Sequence, residues 1–217
     1  HPRTTYAAVV LAFSDLAAKA LLIAVPYYLA NELGLNGTAM VALAIPAAAG
    51  VIAGLVWVSR SFHDGIAQSV MRLTLAGTVV SLLALAALGQ GFAAASREMG
   101  LAGPFGDASA AGFAVTVPVA LLLGFCFATG PVSARAVLTT AAPRRQQSRV
   151  FAMQSTFTDV VAIVPLLLAG AGAQVTGAQP TFVFLAVVGG AAFVALELAA
   201  GRRTPAGNPI LERASTI

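Results

Sequence analysis

Polar residues along this chain come in short clusters, and long apolar runs stand between them. The runs cover about 6–30, 38–59, 67–95, 112–139, 150–174 and 181–200, and a polar tail follows at 201–217. At a helical rise of ~1.5 Å per residue, a run of ~20–25 residues reaches across a hydrocarbon core of ~30 Å. Barrel strands would instead alternate in and out over ~10 residues. The pattern therefore predicts an all-α integral membrane protein with about six transmembrane helices. Pro26, Pro46, Pro118, Pro131 and Pro165 fall inside the runs. Neighbouring helices re-satisfy the carbonyls that such prolines free, so kinks are expected where they sit. Small residues recur in Gly50-Val51-Ile52-Ala53-Gly54 and in Gly170-Ala171-Gly172-Ala173, which predicts close helix contact there.

Composition sharpens this reading. The 217 residues are 59% hydrophobic and 9% charged, with a mean hydropathy of +0.89. Soluble domains carry about 25% charged residues, so too few are present to cover a water-facing surface. A pI near 10.0 raises the question of nucleic acid. The net charge is only +4, however, and the basic residues are scattered at the ends of apolar runs. That distribution suits topology rather than a phosphate-binding face, so no nucleic-acid partner is expected. Arg60 and Arg72 flank the second connection, Arg144, Arg145 and Arg149 lie in the fourth, and Arg3, Arg202, Arg203 and Arg213 lie near the termini. The opposite connections hold Arg97 against Glu32, Glu98 and Asp107. By the positive-inside rule both termini are expected in the cytoplasm of a multi-pass protein of the plasma or inner membrane, which requires an even number of spans. The chain starts at His1 with no cleavable signal pattern ahead of the first run, and the expectation is a clipped or partial protein.

Candidate chemistry centres on the first run, where Asp15 and Lys19 interrupt an apolar stretch. Each charge at the middle of a span costs ~2.5–3.5 kcal/mol on insertion scales. Their i, i+4 spacing puts them on one helical face, the acid on the favoured N-terminal side. Two readings follow: a self-neutralising pair that lets a marginal helix insert, or a face turned into a polar cavity with work to do there. Cys126 is the only cysteine and His63 the only histidine besides His1, which excludes a cysteine-based metal site, an intrachain disulfide and multi-histidine haem or zinc. No nucleophile–base constellation and no phosphate loop is present, so neither an enzyme nor a bound cofactor is expected. Tyr27, Tyr28 and Trp57 lie near span ends and read as interfacial anchors, and Glu197 reads as an interfacial charge.

A family resemblance becomes specific at Leu121–Arg149, where Leu-Leu-Leu-Gly-Phe-Cys-Phe-Ala-Thr-Gly-Pro leads on to Ala142-Pro-Arg-Arg-Gln-Gln-Ser-Arg. It resembles the tenth helix and following cytoplasmic loop of major facilitator superfamily transporters. Val150-Phe151-Ala152-Met153, Pro165-Leu-Leu-Leu-Ala-Gly and Gln174-Val-Thr-Gly are similar to the eleventh helix and its outer turn. Asp64, Gly65 and Arg72 are what the loop 60–72 keeps of that family's Gly/Asp/Arg loop motif. The resemblance implies the C-terminal six-helix half of a fold usually built from two facing halves. It implies transport of a small solute by alternating access, with Asp15 and Lys19 where substrate or proton-coupling groups occur. Asp159 lies about ten residues into its span, roughly 15 Å deep by helical rise. That matches the depth of Asp15 and predicts one cluster with Lys19 between two carboxylates. In the other reading Asp159 pairs locally with a backbone or hydroxyl group such as Ser155 or Thr156. Arg135 near the inner end of the fourth span is expected to snorkel to the surface, with contact to a substrate anion as the other reading. The expected partners are the lipid bilayer and a second six-helix half, from an upstream segment or another protomer. The alternative is a non-transporting scaffold subunit packed against other membrane proteins.

Overall fold

The computed structural model describes residues 2–31, 37–61, 66–98, 108–141 and 177–201, and residues 152–172 with breaks. Five helices are defined in full: α1 (Pro2–Asn31), α2 (Gly37–Ser61), α3 (Ala67–Glu98), α4 (Ala108–Ala141) and α5 (Gln179–Gly201). The residues described within 152–172 are also helical, and no strand occurs among the described residues. Each of the five helices contains a stretch long and apolar enough to cross a membrane, from Thr4–Ala30 in α1 to Gln179–Ala200 in α5. The expected span at 150–174 lies partly outside the described residues, as do the loop 142–151 and the tail beyond 201.

The helices extend a few residues past the apolar runs that predict them, because the backbone ladder continues through flanking polar side chains. Pro26, Pro46, Pro118 and Pro131 all lie inside helices. Gly177 precedes α5 with φ 88°, a left-handed conformation open to glycine because it has no Cβ.

Helix α4 is the hub. It packs most extensively on α2, then on α3 and α1, while α5 packs mainly on α3. The α2–α4 contact is backbone against backbone. A Cβ placed on Gly50 would stand 2.0 Å from the Leu121 carbonyl oxygen, and one on Gly124 would stand 2.1 Å from that of Ala47. Neither position has room for a side chain, so the small-residue spacing of α2 does set its contact distance. On the other side of the bundle the Phe13 ring of α1 fills the space above Gly189 of α5. The centre is closed by Tyr28, Met71, Leu75, Leu82 and Phe182, all fully buried. Outward-facing positions are apolar too, among them Val41, Ile45 and Ile52 of α2 and Val187 of α5. A helix apolar on both its inner and outer faces is what a lipid surround requires.

Tyr28 corrects the expectation of an interfacial anchor. It is 0% exposed, meets Phe182 edge to face at 5.2 Å and donates a hydrogen bond to the Leu85 carbonyl at 3.1 Å. A buried tyrosine needs such a partner for its hydroxyl, and a carbonyl of α3 supplies it. Trp57 is partly exposed and tilts against Phe125 at 5.8 Å.

Candidate functional site

Helix α1 carries Asp15, Lys19, Leu22 and Pro26 along one face, since residues four and three apart stack on a helix. The Lys19 ammonium lies 2.6 Å from Asp15 Oδ2 and donates a hydrogen bond to Asp159 Oδ1 from the 152–172 segment. One lysine thus bridges two carboxylates from separate parts of the bundle. On that segment Thr158 is buried, while Asp159 and Val160 are exposed. Thr156 is committed elsewhere: its hydroxyl donates to the Ala152 carbonyl at 3.0 Å.

The cluster is open on the outer side of the bundle. The side chains of Lys19, Asp15 and Asp159 are 34%, 45% and 60% exposed, and Leu22, one turn on, is 79% exposed. Two carboxylates against one ammonium leave a net charge of −1, and the more exposed partners are the acids. Lipid against this face would strand charges at ~2.5–3.5 kcal/mol each. The arrangement calls for water, a polar solute or another protein there. Arg135 is not part of it: exposed on α4, it forms no ion pair among the described residues.

A second polar cluster escaped the sequence reading. Arg72 Nε of α3 lies 2.7 Å from Glu197 Oε1 of α5. Both atoms are buried, and the pair joins α3 to α5. The Tyr6 hydroxyl of α1 lies within electrostatic reach of both and is itself buried with no hydrogen-bond partner among the described residues. Glu197, expected as an interfacial charge, is thus also an intramolecular partner of Arg72. The signal was present in the sequence: one acid and one base, each inside an apolar run, at ends assigned to the same side of the membrane.

Among the described residues, no group of three or more His, Cys, Asp or Glu side chains is placed to hold a metal. Cys126 is buried and unpaired. Among the described residues the protein is all-helical, with five helices long and apolar enough to cross a membrane and an open charge cluster set among them. No family model, curated protein or solved structure matches the sequence.

Proposed function

We propose that this chain moves a small solute across a membrane by alternating access, acting as one six-helix half of a two-half transporter of the major facilitator type. The observation that carries this reading is the Lys19 ammonium held between Asp15 and Asp159 on an open face of otherwise apolar helices. Such a face is expensive to maintain, and intramembrane charge kept in this way marks a substrate or proton path. A second half, from an adjoining segment or another protomer, would close the far wall. Substrate or protons would then exchange with Lys19 for the two carboxylates. Protonation of Asp15 or Asp159 would free the ammonium and supply the coupling.

The open face also suits a scaffold subunit whose charges are matched by another membrane protein. Uptake and efflux of a panel of labelled solutes, in cells making the native protein, separate the two readings. Transport should be seen for at least one solute and be lost in Lys19→Met and Asp159→Asn at equal protein levels. Fluxes that match between native protein and both variants throughout the panel would favour the scaffold.

A further inference from the structure

Between α1, α2 and α4 lies a cavity of about 460 Å³, within the ~300–1,000 Å³ of ligand pockets. It exists because α1 and α2 both lean on α4 and barely touch each other. Small residues on the three walls, Ala18, Ala44, Ala47, Ala120 and Gly124, leave the gap unfilled.

The shape of the cavity is informative. Its lining runs from Ala18 to Leu29 on α1 and from Thr116 to Phe127 on α4, about 16 Å along each axis at the helical rise. One end is set by Leu29, Leu43 and Thr116, which lie within five residues of the ends of the apolar runs 6–30, 38–59 and 112–139. The other end, at Ala18, Val51 and Phe127, lies in mid-span. The slot therefore reaches from one membrane surface to the midplane, the depth of a single leaflet in a core of ~30 Å.

Its chemistry is almost wholly apolar. The two hydroxyls in the lining belong to Tyr28 and Thr116. Tyr28 gives its proton to the Leu85 carbonyl, and Thr116 has an interaction partner of its own. With its polar groups engaged, the slot cannot repay the desolvation of a polar ligand. Apolar sites accept apolar guests, and the slot is open along one side, where Ala18 and Ala44 on its walls are exposed.

We infer that the slot holds one acyl chain of a bilayer lipid, with the chain between α1, α2 and α4 and the headgroup at the surface end beside Leu43 and Thr116. The inference stands apart from the transport reading, since it rests on a different face of α1 from the Asp15/Lys19 cluster.

The test uses the protein in membranes containing phosphatidylcholine with a photoactivatable diazirine at a chosen depth of one acyl chain. Crosslinked positions are mapped by peptide mass spectrometry. A diazirine near the headgroup should label Leu43 and Thr116, and one at the chain terminus should label Ala18, Val51 and Phe127. Ala120→Leu and, separately, Ala44→Leu fill the slot and should abolish labelling there while leaving Val187 and Ile52 on the outer surface labelled. Retained outer labelling shows that the variant has folded. Excess dodecane should fail to displace the lipid label; displacement would make the occupant a free apolar solute and overturn the lipid assignment. Labelling of the slot that is absent, independent of diazirine depth or unchanged in both variants would also overturn the inference.

Discussion

Lys19 and Asp159 stand 140 positions apart in the chain and are joined by a hydrogen bond from the ammonium to the carboxylate. Asp15 holds the same ammonium from within α1. The three charges form one unit, and removing any member changes what the others experience. Lys19→Met leaves two carboxylates without a counter-ion, whereas Asp15→Asn leaves Lys19 paired with Asp159. The double variant should therefore unfold at a higher temperature in detergent than Lys19→Met alone. Contacting residues couple by ~0.5–3 kcal/mol, and the part-exposure of all three places this coupling toward the lower end. Strict additivity would show that the charges act independently.

The α2–α4 contact makes a sharper structural prediction. Gly50→Ala and Gly124→Ala each drive a methyl into a backbone carbonyl of the facing helix, and overpacking of this kind costs ~1–3 kcal/mol. Gly190→Ala in α5 meets nothing within 4 Å and gains helix propensity. Thermal unfolding in detergent should drop for the first two and hold or rise for the third. Equal behaviour of all three would mean that α2 and α4 are further apart than described.

At the Arg72–Glu197 pair the outcome depends on which atoms are left behind. Arg72→Met strands the Glu197 carboxylate, and losing one partner of a fully buried pair costs ~3–5 kcal/mol. Both side chains are over 30% exposed, which lowers the expected loss to about 1–2 kcal/mol. Arg72→Met with Glu197→Gln should recover part of it. Tyr6→Phe removes a hydroxyl that has no hydrogen-bond partner among the described residues, so it should be neutral or mildly stabilising. A marked loss of thermal stability in Tyr6→Phe would reveal a partner for that hydroxyl.

Much of the fold was legible in the hydropathy pattern, for a simple reason. A run such as 6–30 has one stable solution in lipid, a helix with its backbone bonded internally, and α1 spans Pro2–Asn31 around it. Within the site, the Asp15–Lys19 pair follows from spacing on one helix, and matched depth brought Asp159 into the same group. What stayed hidden depends on which helices are neighbours. Tyr28 looked interfacial because it sits near a span end, and it is buried only because Phe182 and Leu85 close over it. Arg72 looked like a topology signal until α5 brought Glu197 beside it. The acyl-chain slot is likewise invisible in one dimension, because it is made by the lean of three helices.

Topology gives a separate prediction, drawn from the distribution of basic residues. Single cysteines at Ser61 and Gln147 should react with an impermeant reagent from the cytoplasmic side, and one at Ser109 from the opposite side. Reaction of Gln147 and Ser109 from the same side would rule out the even-span arrangement.

In the transport reading proposed above, Lys19 stands in a polar path between Asp15 and Asp159. Its most direct test is Lys19→Cys in a Cys126→Ser background, which leaves this as the only thiol. The thiol is treated in membranes with a cationic, membrane-impermeant thiosulfonate. A polar path at this position predicts modification at a rate far above that of Val187→Cys on the outer apolar surface. It also predicts a rise in thermal stability as the attached cation returns between the two carboxylates. A thiol at position 19 that reacts no faster than one at 187, or that reacts without restoring stability, would contradict it.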